Sequence, residues 1–113
     1  MEKTLTIDGR QIRFKSTGAF LLRYKAQFGR DAIKDILKIM EAFDEKTQEV
    51  KNIEMVDLEV FYNLVWTLAK TAEPSIPDPM TWLDSFDEFP LMEIIPEIQD
   101  LITSSLHSSK KKD

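Results

Sequence analysis

The stretch VDLEVFYNLVWTLAKTA, residues 56–72, constrains the fold more than any other part of this sequence. Leu58, Phe61, Tyr62, Val65, Leu68 and Ala72 recur at helical spacing, and Val60, Leu64 and Trp66 widen the stripe. Only a narrow seam of Glu59, Asn63, Thr67 and Lys70 stays polar. A helix apolar over so much of its girth has to be wrapped by other elements. A chain of 113 residues, 42% hydrophobic and 31% charged, has the material for one such wrapped core.

The flanking segments read as the wrapping. TLTI and QIRFK alternate apolar and polar residues around Asp8-Gly9, a type I′ turn signal. A two-residue turn pairs Leu5 with Ile12 and places Leu5, Ile7, Ile12 and Phe14 on one face. Thr17 is placed to cap a helix from about Gly18 to Phe28, carrying Phe20, Leu21, Tyr24 and Phe28, with Gly29 ending it. Asp31 starts a second helix, in which Ile33, Ile36, Leu37, Met40 and Phe43 repeat at helical spacing. DEKTQEVKNIE, residues 44–54, has no clear period and reads as an exposed loop or a frayed helix end.

Beyond the apolar helix lies TAEPSIPDPMTWLDSFDEFPL, residues 71–91, with four prolines, a tryptophan and two phenylalanines. Pro74 and Pro77 end the preceding helix and stiffen an extended connection. Asp78 then Pro79 is an N-cap followed by a first helical position, so PMTWLDSF reads as a short helix. In LMEIIPEIQDLITSSL, Leu91, Ile94, Ile95, Ile98, Leu101 and Ile102 keep the helical period, and Pro96 must kink that helix or open its second part. The expected fold is mainly α: an N-terminal β-hairpin followed by about five helices in one small compact domain. That domain spans 1–107, with hairpin 3–15 and helical part 18–106, and 108–113 is a flexible basic tail.

Chemistry is sparse in this chain. There is no cysteine, which excludes disulfides and thiolate chemistry, and the one histidine, His107, lies at the end of the last helix, a poor place for a general base. No phosphate-cradling, nucleophile-elbow or metalloprotease motif occurs, so neither an enzyme nor a cofactor is expected. Glu93, Glu97 and Asp100 share a helix face, and Asp84, Asp87 and Glu88 crowd a short segment. Both sets read as solvated carboxylates rather than metal ligands. Residues 1–40 carry nine Lys/Arg against four Asp/Glu, whereas residues 41–109 carry three against fifteen. The basic seam of Arg23, Lys25, Arg30, Lys34 and Lys38 lacks interleaved aromatics, and the overall charge of −5 opposes a polyanion, so nucleic acid is not an expected partner. The split leaves room for self-association or for a basic partner. MEKTLTIDG has no signal-peptide core and no apolar run is long enough to span a bilayer, so a soluble cytoplasmic protein without membrane contact is expected.

What remains is apolar surface. Trp82, Phe86, Phe89, Leu91 and Met92 lie on short, proline-bounded elements after the core helix and form the candidate groove for a partner's helix. On that reading, replacing Phe86 and Phe89 by serine weakens binding more than it lowers stability.

The order of LTIDGRQIRFKST, LRYKAQFGRD, LEVFYNLVWTLAKTAEPSIPDPMTWLDSF and FPLMEIIPEIQDL resembles the tail assembly chaperones of long-tailed bacteriophages, in particular those of phages and prophages of Gram-positive hosts. The likeness runs from about Thr4 to Leu101. It rests on the order and spacing of elements: Leu68-Ala69-Lys70, Pro74 to Asp78, Trp82-Leu83 with Phe86, and Ile95 to Ile98. The resemblance implies a non-enzymatic protein that binds the tape-measure protein, keeps it soluble, helps recruit tail-tube subunits, and is absent from the finished virion. It also implies two lengths of product through programmed frameshifting. Lys110-Lys111-Lys112 fits either an A-rich slippery site or a solubilising tail. On the frameshifting reading this chain is the short form, and an extended form meets the tail-tube protein. The alternative reading is a small acidic phage-encoded regulator or inhibitor that binds a basic host protein.

Overall fold

The computed structural model describes residues 1–42 and 57–106, apart from the side chain of Ser105. Two strands come first, β1 (Glu2–Ile7) and β2 (Arg10–Lys15), then helices α1 (Phe20–Phe28) and α2 (Ala32–Glu41). After residues 43–56 follow α3 (Leu58–Ala72), α4 (Pro79–Asp84) and α5 (Leu91–Thr103), which ends in a 3₁₀ turn, Ser104–Leu106. Among the described residues the architecture is therefore the expected one, an N-terminal hairpin followed by five helices. Phe43, the 44–54 segment, Val56, His107 and the 108–113 tail lie outside the described residues.

The hairpin is set by its turn. Asp8 and Gly9 both have positive φ, 54° and 75°, as a type I′ turn demands. That turn fixes the register Leu5↔Ile12 and Ile7↔Arg10, and Met1 and Ser16 still exchange both backbone hydrogen bonds at the far end. Ile7, Ile12 and Phe14 are buried against the helices and Leu5 is half-buried. On β1, Lys3 Nζ donates to the carbonyl of Glu97 at 2.6 Å, which ties the strand to α5.

Helix α3 is the central element. Phe61, Leu64, Val65, Leu68 and Ala69 have no exposed surface. Its start follows Asp57, whose carboxylate accepts from the N–H groups of Glu59 and Val60. The polar seam read from the sequence is not a solvent face, because Asn63 and Thr67 are buried there. Thr67 Oγ1 donates to the Asn63 carbonyl at 2.8 Å, so its hydroxyl is satisfied within α3. Two small polar residues on α3 thus let α1 approach, with Thr67 returning its proton to its own helix.

Helix α1 begins later than the sequence suggested. Thr17 does not cap it: Thr17 Oγ1 accepts from Ala19 N–H at 3.2 Å in a preceding turn, and the helix starts at Phe20 with Ala19 at the cap. Gly29 closes it at φ 69°, donating its N–H to the Lys25 carbonyl. Asp31 caps α2 as expected, accepting from Ile33 and Lys34.

The phase of α2 differs from the sequence reading. Ala32, Asp35, Ile36 and Ile39 are buried, whereas Ile33 and Leu37 are 45% and 47% exposed. The cause is Asp35. Its Oδ2 accepts from Tyr24 Oη at 2.7 Å and Arg30 Nε at 2.7 Å, and its Oδ1 accepts from Arg30 Nη2 at 3.0 Å. A carboxylate held by three donors orients the helix more firmly than two aliphatic side chains seeking cover. Burial alone would raise Asp35's pKa, yet the bonds from Arg30 and Tyr24 leave it below the ordinary value. Tyr24, desolvated and bonded to that carboxylate, is raised well above a normal phenol.

In α5, Ile94, Ile95, Ile98, Leu101 and Ile102 are buried, and Leu91 is half-buried. Pro96 lies inside this helix without ending it. It cannot supply the N–H that the Met92 carbonyl would otherwise accept.

Candidate functional site

The proline-rich segment after α3 is held by α3 itself. Trp66 Nε1 donates to the Pro77 carbonyl at 2.8 Å, and Lys70 Nζ donates to the carbonyls of Pro74 and Ile76 at 2.7 and 2.6 Å. Arg13 of β2 adds bonds to the Ala72 carbonyl and to Glu73. A hydrogen bond from Ser75, then the one from Arg13, holds the Glu73 carboxyl below its usual pKa. Prolines that pre-set φ, plus donors that collect the exposed carbonyls, make this connection a fixed arm rather than a linker.

The arm delivers α4 to the core. Asp78 accepts from Thr81 N–H with Pro79 in the first turn, as the sequence predicts. Trp82 then stands edge-on to Phe86 and Phe89, with centroids at 5.2 and 5.8 Å, and Phe86 meets Phe89 at 5.3 Å. The tip of the hairpin locks this cluster from the side. Arg10 lies over the Phe86 ring, 4.1 Å from its centroid, and donates to Ser85 Oγ and the Ser85 carbonyl. Asp8 accepts from the Asp87 N–H at 2.9 Å.

This geometry divides the five candidate residues. Trp82 and Phe86 are buried, because the hairpin tip and the aromatic stack close over them, so they support the surface instead of presenting it. Phe89 and Leu91 are half-buried, and Met92, in the first turn of α5, is 42% exposed. Two residues that the sequence reading assigned wholly to the core join them. Tyr62 is half-buried with its ring 6.0 Å from Phe89, and Leu58, one turn earlier on the same face of α3, is 51% exposed. Their position near the start of α3, where few neighbours flank a helix, was the available signal.

The apolar strip is set among carboxylates. Asp57 and Glu59 flank Leu58, Asp87 and Glu88 precede Phe89, and Glu93 follows Met92. All but Asp57 are exposed, and Asp57 pairs with Lys38 at 3.6 Å. Such an arrangement can hold an apolar helix face while staying hydrated at its rim.

Elsewhere the chemistry is thin. Glu93, Glu97 and Asp100 are exposed, with Asp100 facing Lys3 at 3.5 Å, and the described residues contain no group of three His, Asp or Glu able to hold a metal. A cavity of about 430 Å³ opens between β2 and the arm, but its Arg10 and Arg13 are already engaged in the bonds above. No helix among the described residues is long and apolar enough to cross a membrane. No protein-family model, curated protein or solved structure matches the chain.

Proposed function

We propose that this chain is a phage tail assembly chaperone that binds the tape-measure protein during tail morphogenesis. The observation that carries the reading is the strip of Leu58, Tyr62, Phe89, Leu91 and Met92, exposed or half-exposed on a rigid support and bordered by carboxylates. The likeness in element order noted above supports it. A tape measure is a long helical chain whose apolar faces stand open before the tube closes around it. A small protein that covers those faces by side-chain packing can let go when tube subunits compete for the same surface. The carboxylate rim keeps the complex hydrated and repels further copies. The chaperone acts in the host cytoplasm, helps recruit tail-tube subunits through its extended form, and leaves before the virion is complete. It needs neither cofactor nor catalytic group.

Co-expression with segments of the tape-measure protein tests this directly. The unmodified chain should keep a segment soluble and co-purify with it, while Leu58→Glu and Met92→Glu should lose it without unfolding. Retention of the complex in about 1 M salt, where the screening length is about 3 Å, separates apolar capture from the purely electrostatic binding of an acidic inhibitor. Failure of every tape-measure segment to co-purify would overturn the proposal.

A further inference from the structure

A second apolar surface lies on the other helices, and its surroundings carry the opposite charge. Turning α2 to bury Asp35 leaves Ile33 and Leu37 exposed one turn apart on one flank. On α1, Leu21 is half-exposed and shares a groove with Ile33. Between the two helices runs a shallow groove of about 220 Å³, lined by Leu21, Lys25 and Ile33, with Asp31 at its end committed to capping α2. One exposed leucine is ordinary, but aliphatic side chains facing each other across a groove make a patch.

We propose that this groove is a docking surface for an acidic amphipathic helix of a partner protein. Charge complementarity selects that occupant. Lys25 lines the groove and Lys34 follows Ile33 on α2, both exposed, while the lining carboxylate, Asp31, is turned to the N–H groups of Ile33 and Lys34. A helix bringing leucines at i, i+3, i+4 and i+7 with glutamates alongside would place its apolar stripe on Ile33 and Leu37 and its carboxylates on the lysines. Helix α2 has ten residues and is therefore roughly 15 Å long, enough to seat about three turns of such a partner. The groove is separate in sequence from the Leu58–Met92 strip, and the inference does not depend on the chaperone reading.

The probe is a fluorescein-labelled synthetic helix of roughly twenty residues, apolar at helical spacing with glutamate flanks, titrated against the full chain by anisotropy. A second probe carries lysine flanks. The glutamate probe should bind at least about ten-fold more tightly than the lysine probe. The double variant Ile33→Glu with Leu37→Glu should lose that binding with little change in melting temperature. Lys34→Glu should weaken it several-fold through charge alone, which keeps the test decisive if the double variant unfolds. Met92→Glu should leave it unchanged. Equal or tighter binding of the lysine probe, or full binding by both groove variants, would sink the proposal. So would sedimentation showing that the chain pairs with itself through Ile33 and Leu37, since the occupant would then be a second copy.

Discussion

Phe86 and Met92 were expected to act together in one groove, and the structure predicts opposite consequences for their replacement. Phe86 is only 8% exposed, stacks edge-on against Trp82 and Phe89, and lies beneath Arg10, while Met92 is 42% exposed. Removing a buried phenylalanine side chain costs about 3–5 kcal/mol, from lost transfer energy and from the cavity left behind. The lower end applies here, because Phe86 sits at the margin of the core where Arg10 and Phe89 can shift inward. For a chain of this length about 3 kcal/mol lowers the melting temperature by about 12 °C, at about 4 °C per kcal/mol. It is a large share of a typical stability of about 5–15 kcal/mol. Met92→Glu changes a solvent-facing position in the first turn of α5, where a carboxylate meets a favourable helix end, and should stay within about 0.5 kcal/mol. Thermal unfolding followed by circular dichroism, with urea titrations as a second measure, gives both numbers. A melting temperature for Phe86→Ala within about 3 °C of the unmodified chain would show that the aromatic stack is not part of the core, and the support assigned to the strip would go with it.

Two further outcomes follow from buried polar groups. Asp35 has a folded pKa below the ordinary 3.8, so its stabilising contribution is complete above that value and is lost as pH falls through the folded pKa. Asp35→Asn should therefore melt well below the unmodified chain at pH 7, and the gap should narrow as melting is repeated at pH values below 3.8; a gap that stays constant would contradict the assignment. Gln99 is buried, and among the described residues none donates a hydrogen bond to its Oε1. Gln99→Met keeps the shape and removes the orphaned acceptor, so it should stabilise the fold by about 1 kcal/mol in urea titration, and a loss of stability would show that the amide is satisfied.

Local features were legible in the sequence because they depend on groups a few residues apart. Asp8-Gly9 dictated the turn and, through it, the whole strand register; Asp31 and Asp78-Pro79 marked helix starts; Gly29 marked a helix end. The stripes of α3 and α5 were also readable, since a helix apolar over most of its girth has only one place to go. Thr17 failed as a cap because Ser, Thr and Asp side chains satisfy a preceding turn as readily as a helix end.

Only the tertiary structure decided which flank of α2 faces inward. Periodicity gives a helix its stripe but not its rotation, and here a carboxylate with donors on α1 and in the intervening loop outweighed two aliphatic side chains. The same reason explains Asn63 and Thr67, polar by type yet buried where α1 packs on α3, and Trp82 and Phe86, which look exposable on a short segment until the hairpin tip closes over them. Composition and spacing determined what the elements are and that the chain carries no thiol. Which apolar residues stay outside, and so where a partner can bind, depended on contacts between elements far apart in the chain: Arg10 with Phe86, Asp8 with Asp87, Tyr62 with Phe89.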